Sequence, residues 1–253
     1  MKTVLVTGAT SGFGQAIAQR FAAGGCRLII CGRRMERLIA LQASMQQRWS
    51  TPVLSLCFDV RNREATEQSL QQVPHFAPAL DVLVNNAGLA AGLDPIDSGS
   101  VDDWDQMVDT NLKGLLYVTR QLLPLLKQSS APYVFNIGST AGKYIYEKGN
   151  VYCATKAAVA ALSEAMRIDL LRYGFRVTNL QPGLAETEFS LVRFKGDSQR
   201  ARAVYEGLQP LRAEDIAELV WYCFNLPPHV CINEMTVTPT AQANPFYILR
   251  KGT

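Results

Sequence analysis

Short runs of β-branched and apolar residues alternate along the chain with segments whose apolar residues recur at helical spacing. Several of the short runs are apolar on successive residues, as expected for strands that are buried on both faces of a sheet. The runs that predict strands are residues 3–6, 27–31, 52–58, 81–84, 133–137, 175–180 and 234–237. Seven strands separated by helices are therefore predicted.

The segments between these strands carry the helical pattern. Ile17 and Phe21 are one helical turn apart, and Met35, Leu38 and Ile39 follow at similar spacing in the next segment. Alternating strands and helices predict a parallel sheet with right-handed crossovers. With no internal repeat and no linker, we expect residues 1–253 to form one α/β domain with a Rossmann-type, doubly wound sheet.

Two segments interrupt this alternation. Residues 139–151 form a predicted loop after a strand, and residues 183–212 form a long, partly polar excursion. Because ligands bind beyond the carboxyl ends of the strands in open parallel sheets, both are placed for function, and we expect 183–212 to be a substrate lid. The alternative is an ordinary solvated connection.

Composition narrows the function classes. Of the 253 residues 48% are hydrophobic and 19% are charged, and the net charge is +3, which does not favour nucleic-acid binding. The six cysteines form no C-x-x-C pair, which favours free thiols in a reducing compartment, and we expect no metal. No apolar run has the roughly 18 residues of a membrane span, and the N-terminal run is too short for a signal peptide. We expect a cytoplasmic protein with no membrane partner.

The first predicted strand leads into a glycine-rich turn. Gly8, Gly12 and Gly14 would let the backbone turn sharply before the next helix, which we expect to begin near Gln15. The helix N-terminus would then present free amides to a pyrophosphate. Glycine also serves tight turns for structural reasons alone, but the position between strand and helix favours nucleotide binding.

The second strand ends at Gly32, Arg33 and Arg34, where a site that prefers NAD usually carries an acidic residue. Guanidinium groups form charge-assisted, forked hydrogen bonds with phosphates. The alternative, a solvated basic helix start, places positive charge at the unfavourable end of the helix dipole. The arginine pair therefore predicts NADP.

A tyrosine and a lysine are candidates for the chemistry. Tyr152 and Lys156 are four residues apart, so they would share one face of a helix. A nearby cation favours the phenolate, so we expect Lys156 to lower the pKa of Tyr152. Ser139, after the fifth strand, would hold the substrate oxygen. In a chain with nine tyrosines this spacing alone is weak evidence, and an amphipathic surface pair is the alternative.

Together these motifs resemble the short-chain dehydrogenase/reductase family over essentially the whole chain. The resemblance rests on the glycine turn, on residues 85–88 (Asn-Asn-Ala-Gly), on Asn111, on Ser139 with the Tyr152 and Lys156 pair, and on Pro182-Gly183. It implies that Tyr152 transfers the proton, that Ser139 binds the substrate oxygen and that Lys156 binds the nicotinamide ribose. It also implies that Asn111 holds a water of the proton relay, and that the enzyme is a homotetramer. The apolar C-terminal residues 244–249 favour the same assembly.

From the motifs and the resemblance we expect a cofactor site that runs from the glycine turn to the lid. Its expected residues are Gly8, Thr10, Ser11, Gly12, Phe13, Gly14, Arg33, Arg34, Asp59, Val60, Asn86, Ala87, Gly88, Tyr152, Lys156, Pro182, Gly183 and Thr187.

A closer resemblance is to one subgroup, the NADP-dependent 3-hydroxy acid (serine or allo-threonine) dehydrogenases and malonic semialdehyde reductases. It rests on residues 32–34, 138–142, 187–189 and 192–197, whereas residues 143–148 and Glu186 depart from it. A buried substrate carboxylate needs a cation, and Arg193 is the main candidate beside Ser139 and Tyr152, with Lys143 and Lys195 as alternatives. The competing functions are a ketoreductase of the same family with bulkier carbonyl substrates and a nucleotide-sensing protein without catalysis.

Overall fold

A computed structural model describes residues 1–252 and contains one sheet of seven parallel strands. The strands are β1 Thr3–Val6, β2 Arg27–Gly32, β3 Val53–Cys57, β4 Val82–Asn85, β5 Tyr133–Ile137, β6 Arg176–Pro182 and β7 Glu234–Val237. All seven predicted strands are present, with ends that differ by at most two residues. The predicted doubly wound α/β fold is confirmed.

The order of the strands is β3-β2-β1-β4-β5-β6-β7. The chain winds outward from β1 to β3 and then returns to the other side of β1 with β4. This reversal leaves a crevice beyond the carboxyl ends of β1 and β4, where doubly wound folds bind their ligands.

Ten α-helices and one π-helical turn connect the strands. Their bounds are α1 Gly12–Ala23, α2 Met35–Trp49, α3 Arg63–Leu70, α4 Val73–Phe76, α5 Val101–Val108, the π-helical turn Asp109–Gly114, α6 Leu115–Leu126, α7 Asn150–Asp169, α8 Glu188–Arg193, α9 Ser198–Ala203 and α10 Ala213–Asn225. Helix α1 begins at Gly12, three residues before the predicted start, so the last two glycines of the turn belong to its first turn.

Both faces of the sheet are covered by apolar side chains. In β1, Val4 and Val6 pack with α1 and α10, while Leu5 packs into the cluster on the opposite face with α6. Consecutive apolar residues in the central strands follow from this double burial.

Helix α2 departs from the predicted apolar face. Leu38 is fully buried and is followed by buried Leu41 and Met45, but Met35 and Ile39 are 48% and 57% exposed. Ile39 lies one residue off the buried stripe, and Met35 is the first residue of the helix. Apolar spacing alone did not distinguish the stripe from its neighbours.

Segment 183–212 contains α8 and α9 and lies over the crevice, which it lines with residues including Leu184, Thr187, Phe189 and Tyr205. Lys195 fastens this segment to α5 through an ion pair of 2.9 Å with the buried carboxylate of Asp103. We call residues 183–212 the lid.

None of the helices within residues 1–252 has the length and apolar character needed to cross a membrane. All six cysteines in the same range are free thiols.

Candidate active site

A cleft of about 560 Å³ opens beyond the carboxyl ends of the central strands. Its floor is the β1–α1 turn and the ends of β4 and β5, one wall is α7, and the lid covers it. The expected site residues that line it are Gly8, Thr10, Ser11, Gly12, Phe13, Arg33, Arg34, Asp59, Val60, Asn86, Ala87, Gly88, Ser139, Tyr152, Lys156, Pro182, Gly183, Thr187 and Arg193.

The β1–α1 turn depends on its glycines for shape. Gly8 and Gly12 have φ angles of +64° and +52°, in the left-handed region that favours glycine. A Cβ on Gly14 would lie 2.4 Å from Asn86 Nδ2 and 2.5 Å from the Gly8 carbonyl oxygen. Gly14 is therefore a packing residue behind the cleft and does not line it. No side chain caps the first amides of α1, so they are free to bind a phosphate, and the turn fits a dinucleotide.

The amide of Asn86 holds the turn from the adjacent strand. Its Nδ2 donates to the carbonyl oxygens of Thr7 at 2.8 Å and Gly8 at 3.2 Å. The glycine turn and the end of β4 are thereby fixed to each other on the floor of the cleft.

The two arginines after β2 differ in their surroundings. Arg33 is 56% exposed, and its nearest acid is Asp59, with 3.7 Å between Nη1 and Oδ2. Arg34 instead donates to Thr10 Oγ1 and to Ser11 Oγ, each at 2.9 Å, and to the carboxylate of Glu188 at 2.8 Å. The sequence could not distinguish these two residues, because their partners come from distant segments.

Asp59, one of the expected cofactor-site residues, is paired with Arg61. The Asp59 carboxylate accepts hydrogen bonds from Arg61 Nη2 at 2.7 Å and from the Arg61 backbone amide at 3.0 Å. Burial alone would raise the pKa of Asp59, but the hydrogen bonds from Arg61 outweigh it and hold this pKa below its ordinary value.

Tyr152 and Lys156 lie on one face of α7 and are each only 7% exposed. Lys156 Nζ donates to the Ile137 carbonyl at 2.8 Å, and burial lowers the pKa of Lys156 to about 8. Burial, then the nearby Tyr146, raises the pKa of Tyr152, and a hydrogen bond with Ser139 and the charge of Arg193 offset only part of this rise. The expectation that Lys156 lowers the pKa of Tyr152 is wrong, because desolvation dominates at this buried phenol.

Asn111 lies in the π-helical turn between α5 and α6 and is buried behind the cleft without lining it. Its Oδ1 accepts from the Leu89 amide at 2.8 Å. Its Nδ2 donates to the Leu89 carbonyl at 2.8 Å and to Thr155 Oγ1 at 3.1 Å. The side chain thus joins the loop after β4 to α7. A π-helical turn in the middle of a helix frequently marks a functional site.

Arg193, the last residue of α8, lines the cleft beside Tyr152. Its guanidinium carbon lies 5.4 Å from the centre of the Tyr152 ring, and its Nη2 donates to Tyr146 Oη at 2.6 Å. Lys195, in its ion pair with Asp103, and the exposed Lys143 do not line the cleft. The arrangement favours Arg193 among the three cations that the sequence offered.

Several residues that line the cleft were not predicted, and three of them come from different segments of the chain. Tyr146 comes from the loop 143–148, Glu188 is on the lid, and Ile248 comes from the C-terminal segment. The bulky composition of 143–148 signalled an unusual loop, but no local pattern indicated that Tyr146 would meet Arg193. Within residues 1–252, no group of three or more His, Cys, Asp or Glu side chains is placed to hold a metal ion.

Several known proteins are similar to this chain over nearly its whole length. A sequence model of the short chain dehydrogenase family matches residues 2–196. The NADP-dependent 3-hydroxy acid dehydrogenase of Salmonella typhimurium is 49% identical over 241 residues, which cover 95% of this chain and 96% of that protein. Sulfoacetaldehyde reductase 2 of Chromohalobacter salexigens is 45% identical over 241 residues, 95% of each chain. Among solved structures, the closed form of a serine dehydrogenase complexed with NADP+ superposes with a TM-score of 0.90 at 45% identity and covers 96% of this chain and 97% of that chain.

Proposed function

The chain belongs to the short-chain dehydrogenase family, and from this premise we propose that it is an NADP-dependent oxidoreductase of small 3-hydroxy acids. Its substrates would be of the serine, allo-threonine or 3-hydroxypropionate type, interconverted with the corresponding 3-oxo acid or semialdehyde. The observation that carries the substrate class is the guanidinium of Arg193, held 5.4 Å from the centre of the Tyr152 ring.

The cofactor assignment rests on two groups of residues in the cleft. The glycine turn and the first amides of α1 would receive the pyrophosphate, and Arg33 and Arg34 would receive the 2′-phosphate of NADP. The relatives support this choice, since one is named NADP-dependent and another was solved with NADP+. When bound, the cofactor supplies or accepts the hydride.

The chain's own residues would handle the proton. Ser139 holds the substrate oxygen while the Tyr152 hydroxyl donates or accepts the proton at that oxygen. Lys156 would bind the nicotinamide ribose and supply a positive charge beside the phenol. Asn111 would hold a water of the proton relay, in addition to the hydrogen bonds of its side chain with Leu89 and Thr155.

The substrate anion would lie between Arg193 and Tyr146. Arg193 Nη2 donates to the Tyr146 oxygen, which leaves the Tyr146 hydroxyl proton free for an anionic oxygen of the substrate. Arg193 Nε donates to the Gly92 carbonyl at 3.4 Å, so the N–H groups of Nη1 and the second N–H of Nη2 are left for the other oxygen. Exclusion of water by the lid strengthens both contacts. Two relatives are named for substrates with an acid group, a 3-hydroxy acid and sulfoacetaldehyde.

A substrate panel tests this proposal. NADPH oxidation should be faster with malonic semialdehyde than with bulky ketones, and Arg193→Met should raise KM for the acid by at least about tenfold, or 1.4 kcal/mol. The matched control is Lys143→Met, which removes an exposed cation of the neighbouring loop and should leave KM unchanged. Equal turnover of acids and bulky ketones would favour the ketoreductase alternative, and no turnover of any carbonyl would favour a nucleotide sensor.

We also propose that the protein is cytoplasmic and forms a homotetramer. Phe246, Tyr247 and Leu249 are 61%, 74% and 71% exposed, more apolar surface than one short segment of a monomer usually presents. Their burial between subunits would remove this surface from water.

A further inference from the structure

We propose that Glu188 of the lid competes with the 2′-phosphate of NADP for the guanidinium group of Arg34. This inference rests on the proposed function, because it assumes that the arginines after β2 receive the 2′-phosphate. It assigns to Glu188 a part in the choice between NADP and NAD that no motif indicated.

The Glu188 carboxylate is held by two guanidinium groups from the other side of the cleft. Its Oε2 accepts from Arg34 Nη1 at 2.8 Å, and its Oε1 accepts from Arg37 Nη1 at 2.6 Å. Burial alone would raise the pKa of Glu188, but the hydrogen bonds from Arg34 and Arg37 hold it below its ordinary value. The carboxylate is therefore an anion at neutral pH, and it lies where the 2′-phosphate of NADP is expected to bind.

The Arg34 side chain has little capacity left for a further partner. Its Nε and Nη2 both donate to Thr10 Oγ1, at 3.1 and 2.9 Å, and Nη2 also donates to Ser11 Oγ. With Nη1 on Glu188, four of the five guanidinium N–H groups are engaged. Arg33 has only the 3.7 Å contact to Asp59, so it is open to a phosphate as it stands.

The same part of the lid also touches the glycine turn. Thr187 lies against Gly12, where a Cβ would meet the Thr187 Cβ at 3.3 Å. The start of α8 therefore contacts both the glycine turn, which is expected to bind the pyrophosphate, and the arginines, which are expected to bind the 2′-phosphate.

A 2′-phosphate carries up to two negative charges and three acceptor oxygens, so it competes well for paired guanidinium groups. Once it binds, the displaced carboxylate faces like charge, and the start of α8 loses its two ion pairs. The adenosine ribose of NADH has a neutral 2′-hydroxyl, which can hydrogen-bond beside Glu188 without displacing it. Glu188 thus opposes NADP binding selectively, and NADP binding releases one attachment of the lid.

The test compares Glu188→Gln with Glu186→Gln. Both variants remove one negative charge from the lid, but Glu186 is exposed and has no ion pair among the described residues. Dissociation constants are measured by fluorescence titration for NADPH, NADH and adenosine 2′,5′-bisphosphate. Glu188→Gln should tighten NADPH and the bisphosphate by about threefold to tenfold, as expected for two exposed ion pairs, and change NADH by less than about twofold. Glu186→Gln should change none of the three by more than about twofold.

A second variant tests whether the effect of Glu188→Gln on NADPH binding depends on Arg34. In an Arg34→Gln background, the gain from Glu188→Gln should be smaller than in the wild-type enzyme, because one of the two competing contacts is already absent. A gain of the same size in both backgrounds would contradict the proposal, as would weaker NADPH binding in Glu188→Gln or an equal gain in Glu186→Gln.

The outcomes also separate this inference from the proposed function. If the wild-type enzyme binds NADPH no more tightly than NADH, the NADP assignment itself is wrong. If the wild-type enzyme prefers NADPH and Glu188→Gln leaves all three constants unchanged, only the role of Glu188 is wrong.

Discussion

Lys156 is a buried cation whose only hydrogen-bond partner among the described residues is the Ile137 carbonyl. Burial lowers its pKa from 10.5 to about 8, so holding its charge in the folded protein costs about 3 kcal/mol. Below pH 8 both states carry the charge and the cost is fully present. Between pH 8 and 10.5 the folded state has lost the proton that the unfolded state retains, and stability rises with pH.

Lys156→Met should therefore stabilise the cofactor-free protein by about 1 to 3 kcal/mol at pH 7, since the Ile137 carbonyl loses its donor and offsets part of the gain. The advantage should shrink as pH rises through the range between the two pKa values. Urea unfolding at pH 7 and pH 10 measures both effects, with the exposed Lys143→Met as control. A pH-independent difference would mean that packing, not charge, explains it.

Tyr152→Phe removes the hydroxyl proposed to transfer the proton and keeps the ring, which packs 5.5 Å from Phe189. Turnover should fall by about 10² to 10⁴ while the dissociation constant for NADPH changes by less than about twofold. Tyr146→Phe is the matched control. It should retain kcat and raise KM for the acid substrate, because the Tyr146 hydroxyl contacts Arg193. Loss of kcat in both variants alike would leave the proton donor unassigned.

The β1–α1 turn connects the sheet to the part of the cleft where the cofactor is expected to bind. A Cβ at Gly14 would overlap Asn86 Nδ2 and the Gly8 carbonyl. Gly14→Ala should therefore lower the free energy of unfolding by about 1 to 3 kcal/mol and weaken NADPH binding by at least about tenfold.

Gly25→Ala is the control for this element. Gly25 has a φ of +76° and open space around it, so alanine there is strained but touches nothing. It should cost about 1 kcal/mol of stability and leave NADPH binding unchanged. Thermal unfolding with and without NADPH measures both the stability and the binding of NADPH. If Gly14→Ala bound NADPH with wild-type affinity, the close packing of Gly14 against Asn86 and Gly8 would not shape the cofactor site.

For the whole molecule, the C-terminal segment presents apolar side chains on both of its sides. Ile248 lines the cleft, whereas Tyr247 and Leu249 are exposed on the outside. If they pack between subunits, Tyr247→Asp with Leu249→Asp should convert the tetramer to smaller species, because burying a carboxylate without a partner is unfavourable. Analytical ultracentrifugation measures this, and Ile96→Asp, at a residue 66% exposed on another loop, should leave the assembly unchanged. A wild-type monomer would contradict the tetramer.

The strands, the glycine turn and the candidate catalytic residues could be predicted from the sequence because their signals are local. A strand buried on both faces must be apolar throughout, and Gly8 and Gly12 are required by the left-handed φ of their own backbone. Tyr152 and Lys156 share a face because α7 repeats every 3.6 residues. The apolar face of α2 was less predictable, since the packing of the helix on the sheet decided which of several apolar residues became buried.

Only the tertiary structure decided the pKa values of these residues and their contacts with distant segments. The raised pKa of Tyr152 results from the solvent that its neighbours exclude, and spacing along the chain carries no measure of that exclusion. Arg34 meets Glu188 across 154 positions, and Arg193 meets Tyr146 across 47, so neither contact leaves a trace in any local pattern. The sequence by itself therefore determined the fold and the candidate chemistry, which depend on short-range geometry. The electrostatic environment and the closure of the cleft depend on packing between distant segments, and those were decided by the folded chain.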